Sequence, residues 1–262
     1  MRIGVFDSGV GGLTVLRAIR DRFPQVNLIY VGDTARVPYG NRSPRTVIRY
    51  SIECASFLID RGIDVLVVAC NTASSHAIPA LKERFSLPVV GVVEPGVKEA
   101  LKVTRGRVGV IGTLATVRSG TYQRILSSAG VRVFSKACPL FVPLVEERLF
   151  EGEIAERVAR MYLEEFRVAG IDTLILGCTH YPLLRKTIQK VLPEVRIVDS
   201  SSAVAAELAP LVRDGGEGET ELYFTDRSQN LEDLIEVILG FPVEPVILSD
   251  GVSRISQRTS PS

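Results

Sequence analysis

Short apolar runs alternate with longer segments of helical periodicity along most of the 262-residue chain. Runs that are apolar at nearly every position are typical of strands buried on both faces, and intervening helices indicate parallel order. Eight runs fit this description and are predicted to be strands: 3–6, 28–31, 65–69, 89–93, 108–111, 131–134, 174–176 and 196–198. The pattern therefore predicts an α/β fold with mainly parallel sheets flanked by helices.

Two long helices carry recognisable start and stop signals. Ser43 and Pro44 form an N-cap and first-turn pair, and Gly62 stands where that helix would end. A second helix is predicted over about residues 154–168, and Gly170 follows it.

An internal repeat relates the two halves of the chain. Residues 2–8 (RIGVFDS) resemble residues 107–113 (RVGVIGT), and residues 61–72 (RGIDVLVVACNT) resemble residues 169–180 (AGIDTLILGCTH). The offsets are 107 − 2 = 105 and 169 − 61 = 108 positions. Because both pairs occur in the same order at nearly the same offset, the repeat predicts two similar α/β domains, with an active site in the cleft between them.

The domain boundaries follow from this repeat. The first domain is predicted to comprise residues 1–96 and 209–262, and the second domain residues 97–208. Within the first of these, residues 220–248 read as strand, helix and strand, which is too small a unit to fold alone and should pack on the first domain. Residues 249–262 are rich in Ser and Arg, and we expect them to be loose.

Composition excludes several classes of function. With 31 Lys+Arg against 30 Asp+Glu, the chain lacks the basic excess of proteins that bind nucleic acid or acidic membranes. The apolar run near the N-terminus is too short for a secretory signal, and no run approaches the roughly 20 residues of a membrane helix. Four cysteines without a CxxC pair and only two histidines argue for a reducing cytoplasm and against a disulfide scaffold or a zinc site.

Four distinctive loops follow predicted strands, where ligands bind in open parallel sheets. They are residues 7–12 (DSGVGG), 33–40 (DTARVPYG), 70–72 (CNT) and 178–180 (CTH). The first loop has Thr14 where a G-x-G-x-x-G motif needs its third glycine, so a nucleotide site is disfavoured. Its free N–H groups would suit a carboxylate as well as a phosphate.

Cys70 and Cys178 indicate a function more specifically than the glycine-rich loop does. A cysteine at the end of a buried strand is usually a small hydrophobic residue, but these two occupy equivalent points of the repeat. If the halves face each other, both sulfurs point into one cleft, and a nearby helix N-terminus favours the thiolate. Two opposed bases suit removal of a proton from one face of a carbon and its return to the other. Cys54 and Cys138 have no repeat partner and are interpreted as structural.

Asp7 and His180 could shift the proton balance of these thiols or orient a substrate ammonium group. An alternative for Asp7 is an N-cap of the following helix. His76 is interpreted as a packing or surface residue, and Glu146 with Glu147 as a solvated helix face.

The motifs at residues 7–12, 33–40, 70–74 (CNTAS) and 177–182 (GCTHYP) resemble those of glutamate racemases in the aspartate/glutamate racemase superfamily, and the match extends from the first residues to roughly position 210. The ending Cys-Thr-His-Tyr-Pro at residues 178–182 favours this family over its aspartate racemase relatives. The resemblance implies a cofactor-independent enzyme, without a metal, that interconverts L- and D-glutamate and supplies D-glutamate for peptidoglycan. It also implies a cytoplasmic homodimer.

The resemblance assigns roles to particular residues. It implies that Cys178 takes the Cα proton from L-glutamate and Cys70 from D-glutamate. Asp7, His180 and Glu147 are implied to assist, with Glu146 an alternative to Glu147. The residues implied to hold the substrate are Asp7, Ser8, Tyr39, Gly40, Asn71, Thr72, Thr179 and His180.

Two other interpretations stay open. One is a related enzyme of the same superfamily that acts on aspartate or another small acid. The other is a two-lobed binding protein or sensor for an acidic amino acid, which would not need two cysteines at matched positions of the repeat.

Overall fold

Two parallel sheets organise the structure, a computed structural model that describes residues 1–213, 215–248 and 252. The strands of the described residues are β1 (Arg2–Asp7), β2 (Asn27–Gly32), β3 (Val65–Val68), β4 (Val89–Gly91), β5 (Arg107–Gly112), β6 (Arg132–Ala137), β7 (Thr173–Gly177), β8 (Arg196–Asp199), β9 (Thr220–Phe224) and β10 (Val246–Ile247). The first sheet has the order β10-β9-β2-β1-β3-β4, the second has the order β6-β5-β7-β8, and every pairing is parallel. The predicted parallel α/β fold and all eight predicted strands are confirmed.

Helices cover both faces of each sheet. They are α1 (Leu13–Arg22), α2 (Pro44–Ile59), α3 (Asn71–His76), α4 (Ile78–Arg84), α5 (Val93–Val103), α6 (Leu114–Ser119), α7 (Thr121–Ser128), α8 (Phe141–Glu146), α9 (Glu153–Ala169), α10 (Arg185–Val191), α11 (Ser200–Glu207) and α12 (Leu231–Leu239). In the first sheet, Ile3 and Val5 pack into the core on one face and Phe6 into the core on the other. Burial on both faces explains why the strands are apolar at nearly every position. None of the helices in the described part of the chain is long and apolar enough to span a membrane.

The predicted helix signals lie where the structure needs them. The Ser43 hydroxyl accepts a hydrogen bond from the Thr46 N–H at 3.3 Å and caps α2, while Pro44 is its first residue. Gly62, just past α2, and Gly170, at the end of α9, both have positive φ angles, of 71° and 61°. These left-handed positions are adopted most readily by glycine, which explains why both helices stop there.

The two sheets repeat the same local topology. The order β2-β1-β3-β4 in the first corresponds to β6-β5-β7-β8 in the second. The carboxyl ends of β1 and β3 are therefore adjacent, as are those of β5 and β7. The internal repeat thus places the loops after these four strands in corresponding positions.

The C-terminal segment packs on the first sheet. Strand β9 pairs with β2 from Leu28 opposite Thr220 onward, and β10 pairs with β9. Helix α12 packs on α1, where the Arg17 guanidinium donates to the Ile238 carbonyl at 2.9 Å. The predicted strand, helix and strand over residues 220–248 are confirmed. The expectation of a loose tail at 249–262 lies, apart from residue 252, outside the described residues.

Candidate active site

A small buried cavity lies between the two domains at the carboxyl ends of their central strands. Both cysteines at the repeat-equivalent positions line it, and so does every residue predicted to hold a ligand except Asp7. Its volume of about 20 Å³ has room for a water molecule but not for an amino acid. The cleft must therefore widen to admit a ligand.

Cys70 reaches the cavity from the first domain. It directly precedes α3 as its N-cap, where its Sγ accepts the Ala73 N–H at 3.5 Å and lies 3.6 Å from the Ser8 hydroxyl. Burial and the negative charge of Asp7 raise the pKa of the Cys70 thiol to about 12, and the Ala73 N–H and Ser8 only partly offset this. The N-terminus of α3 favours the Cys70 thiolate through the Ala73 N–H, as expected, but burial and Asp7 outweigh it and favour the protonated thiol.

Cys178 reaches the cavity from the second domain, directly after β7. Its Sγ lies 3.9 Å from His180 Nδ1, and both side chains are buried. Burial alone would lower the pKa of His180, but its hydrogen bond with Cys178, the Glu146 carboxylate 3.5 Å away and the charge of Asp7 raise it to about 10. The raised pKa favours the charged form of His180, which lies beside Cys178.

Asp7 links the two halves of the site. Its carboxylate accepts the Gly9 N–H at 3.0 Å and the Thr179 hydroxyl, from the other domain, at 3.2 Å. Burial raises its pKa, and the positive charge of His180 counteracts that shift. The N-cap interpretation is wrong, because α1 begins after Gly12 and has no side-chain cap.

The acidic pair at the end of α8 divides into two different environments. Glu146 Oε1 lies 3.5 Å from His180 Nε2, and its side chain is only 38% exposed. Glu147 is exposed and follows the last residue of the helix. The structure thus places Glu146, rather than Glu147, beside the buried imidazolium.

The loop over residues 33–40 is held by the buried carboxylate of Asp33. This carboxylate accepts hydrogen bonds from the Tyr39 hydroxyl, from Arg36 Nε at 2.6 Å and from the Thr225 hydroxyl at 3.0 Å. The hydrogen bond from Tyr39 to Asp33 holds Tyr39 and Gly40 in place at the cavity, which both residues line.

Polar side chains that follow the strands leave donors free to face a ligand. The side-chain Oδ1 of Asn71 accepts a hydrogen bond from the Tyr122 hydroxyl at 2.6 Å. This bond fixes the orientation of the Asn71 side-chain amide and leaves its NH₂ group available as a donor. Thr72 lies 2.9 Å from the Thr113 hydroxyl and 3.1 Å from that of Thr116, across the domain boundary. Among the described residues, no group of three or more His, Cys, Asp or Glu side chains is placed to hold a metal ion.

Two features of the site were missed by the sequence reasoning. Thr113 lines the cavity, and its signal was its place in the repeat, where it corresponds to Ser8. The glycine-rich loop also makes a close contact between the two domains. A Cβ on Gly11 would lie 2.5 Å from Thr179 Oγ1 and 2.6 Å from His180 Nδ1, so only glycine lets this loop approach the other domain.

Comparisons with known proteins agree on one family. The sequence model of the Asp/Glu/Hydantoin racemase family matches residues 13–208. The chain is 60% identical over 251 residues to the glutamate racemase of Aquifex aeolicus, covering 95% of this chain and 98% of that protein. It is similar to the solved structure of glutamate racemase from Aquifex pyrophilus, with a TM-score of 0.84, 59% identity and coverage of 96% and 100%. The Francisella tularensis glutamate racemase solved in complex with D-glutamate gives a TM-score of 0.89, 35% identity and coverage of 95% and 97%.

Proposed function

Because the chain belongs to the Asp/Glu/Hydantoin racemase family and is an amino-acid racemase, we propose that it interconverts L- and D-glutamate without a cofactor. Cys70 and Cys178 act as the two acid/base groups. One observation carries this proposal: two free, buried cysteines, at equivalent points of an internal repeat, line one cavity from two different domains. Relatives at 60% identity are named glutamate racemase, which supports glutamate over aspartate as the substrate.

The two cysteines enter the reaction in opposite protonation states. With L-glutamate bound, a Cys178 thiolate beside the His180 imidazolium removes the Cα proton, and the Cys70 thiol donates its proton to the opposite face. With D-glutamate, Cys70 removes the proton and Cys178 returns one. The two cysteines therefore share one proton between them. When Cys70 carries it the enzyme can react with L-glutamate, and when Cys178 carries it the enzyme can react with D-glutamate.

The carbanion between these two steps needs stabilisation, since a Cα–H next to a carboxylate is a very weak acid. The Thr179 hydroxyl donates to Asp7, and the Thr72 and Thr113 hydroxyls bond to each other. Two further donors line the cavity, the Asn71 amide and the Ser8 hydroxyl. They are aimed at a space from which water is excluded when the cleft is closed, where each hydrogen bond stabilises developing charge more than it would in water. Asp7 does not line the closed cavity; it orients the Thr179 hydroxyl, which does, and balances the charge of His180.

The cellular role follows from the same resemblance, and the domain division follows from the internal repeat. D-Glutamate made by the enzyme supplies peptidoglycan synthesis in the cytoplasm, and the active protein is a homodimer. The first domain comprises residues 1–96 with 209–262, which the pairing of β9 with β2 supports, and the second comprises residues 97–208.

The decisive experiment is incubation of the purified protein with L-glutamate in D₂O. We expect the Cα–H signal to disappear from the NMR spectrum while the optical rotation decays to zero, because each turnover returns a solvent deuteron to the opposite face. Binding of glutamate without either change would favour the sensor interpretation. Racemisation of aspartate in its place would keep the mechanism and change the substrate.

Glu146→Gln is expected to lower kcat/KM about two- to fivefold at neutral pH, the range expected for loss of a partly exposed ion pair. The carboxylate of Glu146 helps to hold the pKa of His180 high, so its removal should also move the alkaline limb of the pH profile to lower pH. Glu147→Gln is the matched control and should change neither quantity. A larger loss in the Glu147 variant would return the assisting role to that residue.

A further inference from the structure

A second and larger cavity, of about 420 Å³, lies between the domains directly outside the catalytic cavity. We call it the vestibule; it is lined by residues 40–44 and His76 of the first domain and by residues 114–115 and 118–119 of the second. Gly40 lines both cavities. The vestibule therefore adjoins the reaction site at this glycine.

The partition between the two cavities is thin and crosses the domain boundary. A Cβ on Gly40 would lie 2.5 Å from Thr113 Cβ, so the Gly40 backbone is in direct contact with Thr113. The Thr113 hydroxyl in turn lies 2.9 Å from that of Thr72. Because these contacts join the two domains, they separate when the cleft widens, and that movement connects the vestibule with the catalytic cavity.

The charges that line the vestibule have a single sign. Of its ten lining residues, Arg42 and Arg118 are cations and none is acidic. The two arginines come from different domains, both are exposed, and neither forms an ion pair with a described residue. In a chain with a net charge of only +1, two unpaired guanidinium groups on one concave surface create a local site for an anion.

We propose that the vestibule is an outer binding site that captures the dicarboxylate substrate before the cleft opens to receive it. This proposal rests on the proposed function, since an acidic amino acid carries one net negative charge at neutral pH. Arg42 and Arg118 present planar guanidinium groups that match a carboxylate in geometry, and their field raises the substrate concentration beside the Gly40–Thr113 partition. They act on substrate capture and not on proton transfer.

Another large cavity of the protein does not share these properties. It is lined by Lys82 and Arg124 together with Glu94 and Glu207, so its charges are mixed. It has no lining residue in common with the catalytic cavity. Neither its charge nor its position suits delivery of an anion to the two cysteines.

The test is the dependence of kcat/KM on ionic strength in the double variant Arg42→Gln/Arg118→Gln. At low ionic strength we expect kcat/KM for both enantiomers to fall about tenfold with kcat unchanged, at the lower end of the known range for electrostatic capture. Near 1 M salt, where charges are screened beyond roughly 3 Å, the variant and the wild type should converge. The double variant Arg42→Lys/Arg118→Lys keeps both charges and should retain most of the salt dependence.

A matched control removes two charges elsewhere. Arg132→Gln/Arg160→Gln neutralises two exposed arginines of the second domain that do not line the vestibule, and it should leave kcat/KM unchanged at every ionic strength. The proposal is overturned if the Arg42/Arg118 variant behaves like this control. It is equally overturned if kcat falls without any dependence on salt, since that result would indicate a structural role.

Failure of the proposed function can be distinguished from failure of the vestibule proposal. If the wild-type protein does not racemise glutamate, calorimetric titration with L-glutamate and L-aspartate replaces the kinetic measurement. Weaker binding to the Arg42→Gln/Arg118→Gln variant at low salt alone would then support the vestibule as an anion site. Equal binding to the variant and the wild type would overturn it.

Discussion

Cys70→Ala and Cys178→Ala are each expected to abolish racemisation, lowering kcat by about 10³-fold or more, because each removes one of the two proton-transfer groups. Both side chains line the catalytic cavity, at the ends of equivalent strands, and the chain offers no second thiol at either position. A serine at either position should retain at most a trace of activity, since a hydroxyl is a far weaker acid than a thiol. Turnover is measured by the change in optical rotation from each enantiomer.

The two alanine variants should differ in the isotope exchange that they retain. An enzyme with one base left can still remove a proton from one face and return a deuteron to the same face. In D₂O, Cys178→Ala is therefore expected to exchange the Cα–H of D-glutamate only, and Cys70→Ala that of L-glutamate only. NMR of each pure enantiomer measures this exchange, and the opposite pattern would reverse the assignment of the two faces.

Two further cysteines provide matched controls for these variants. Cys54 and Cys138 are also buried and free, but neither lines the catalytic cavity. Cys54→Ala and Cys138→Ala should therefore retain racemisation, with only a loss of stability of the size common for buried substitutions. Near-normal turnover in Cys178→Ala would disprove the two-base mechanism, whatever the controls show.

The repeat made much of the site predictable from sequence. It located Cys70 and Cys178 at corresponding strand ends, because the apolar runs that form β3 and β7 are visible in the sequence. The same repeat places Thr113 opposite Ser8, yet a lone threonine after a strand carries no chemical signal of its own. Its place in the site is evident only from the structure, where the Thr113 hydroxyl lies within hydrogen-bonding distance of Thr72 across the cleft.

Other parts of the site depend on packing that sequence patterns do not record. Glu146 and Glu147 are neighbours in sequence, and only the orientation of α8 decides which of them faces His180. The protonation of Cys70 likewise depends on the degree of its burial and the proximity of Asp7, which outweigh the helix N-terminus that the sequence reveals. The vestibule lies between domains and combines Arg42 with Arg118, residues that no sequence motif connects.

His180→Asn is expected to lower kcat/KM about 10²-fold at neutral pH, because the variant keeps a polar side chain but loses the positive charge beside Cys178. Racemisation has an equilibrium constant of one, so kcat/KM must fall equally for both enantiomers. The side on which His180 acts is therefore revealed by isotope exchange: exchange at L-glutamate, which depends on Cys178 as the base, should fall more than exchange at D-glutamate.

The pH dependence provides an independent test of this role. The pKa of His180 in the folded protein is raised from 6.5 to about 10, so its positive charge is present at neutral pH and is lost as the pH rises through about 10. Wild-type kcat/KM should fall across that range, and the His180→Asn profile should lack this decline.

The same raised pKa means that protonation of His180 stabilises the folded protein fully below pH 6.5 and that this contribution disappears as the pH rises through about 10. Denaturant unfolding at several pH values should therefore show that the wild type loses stability relative to the variant as the pH is raised. If the two stability curves are parallel, and if the variant shows the same alkaline decline in kcat/KM as the wild type, His180 is neutral in the folded enzyme.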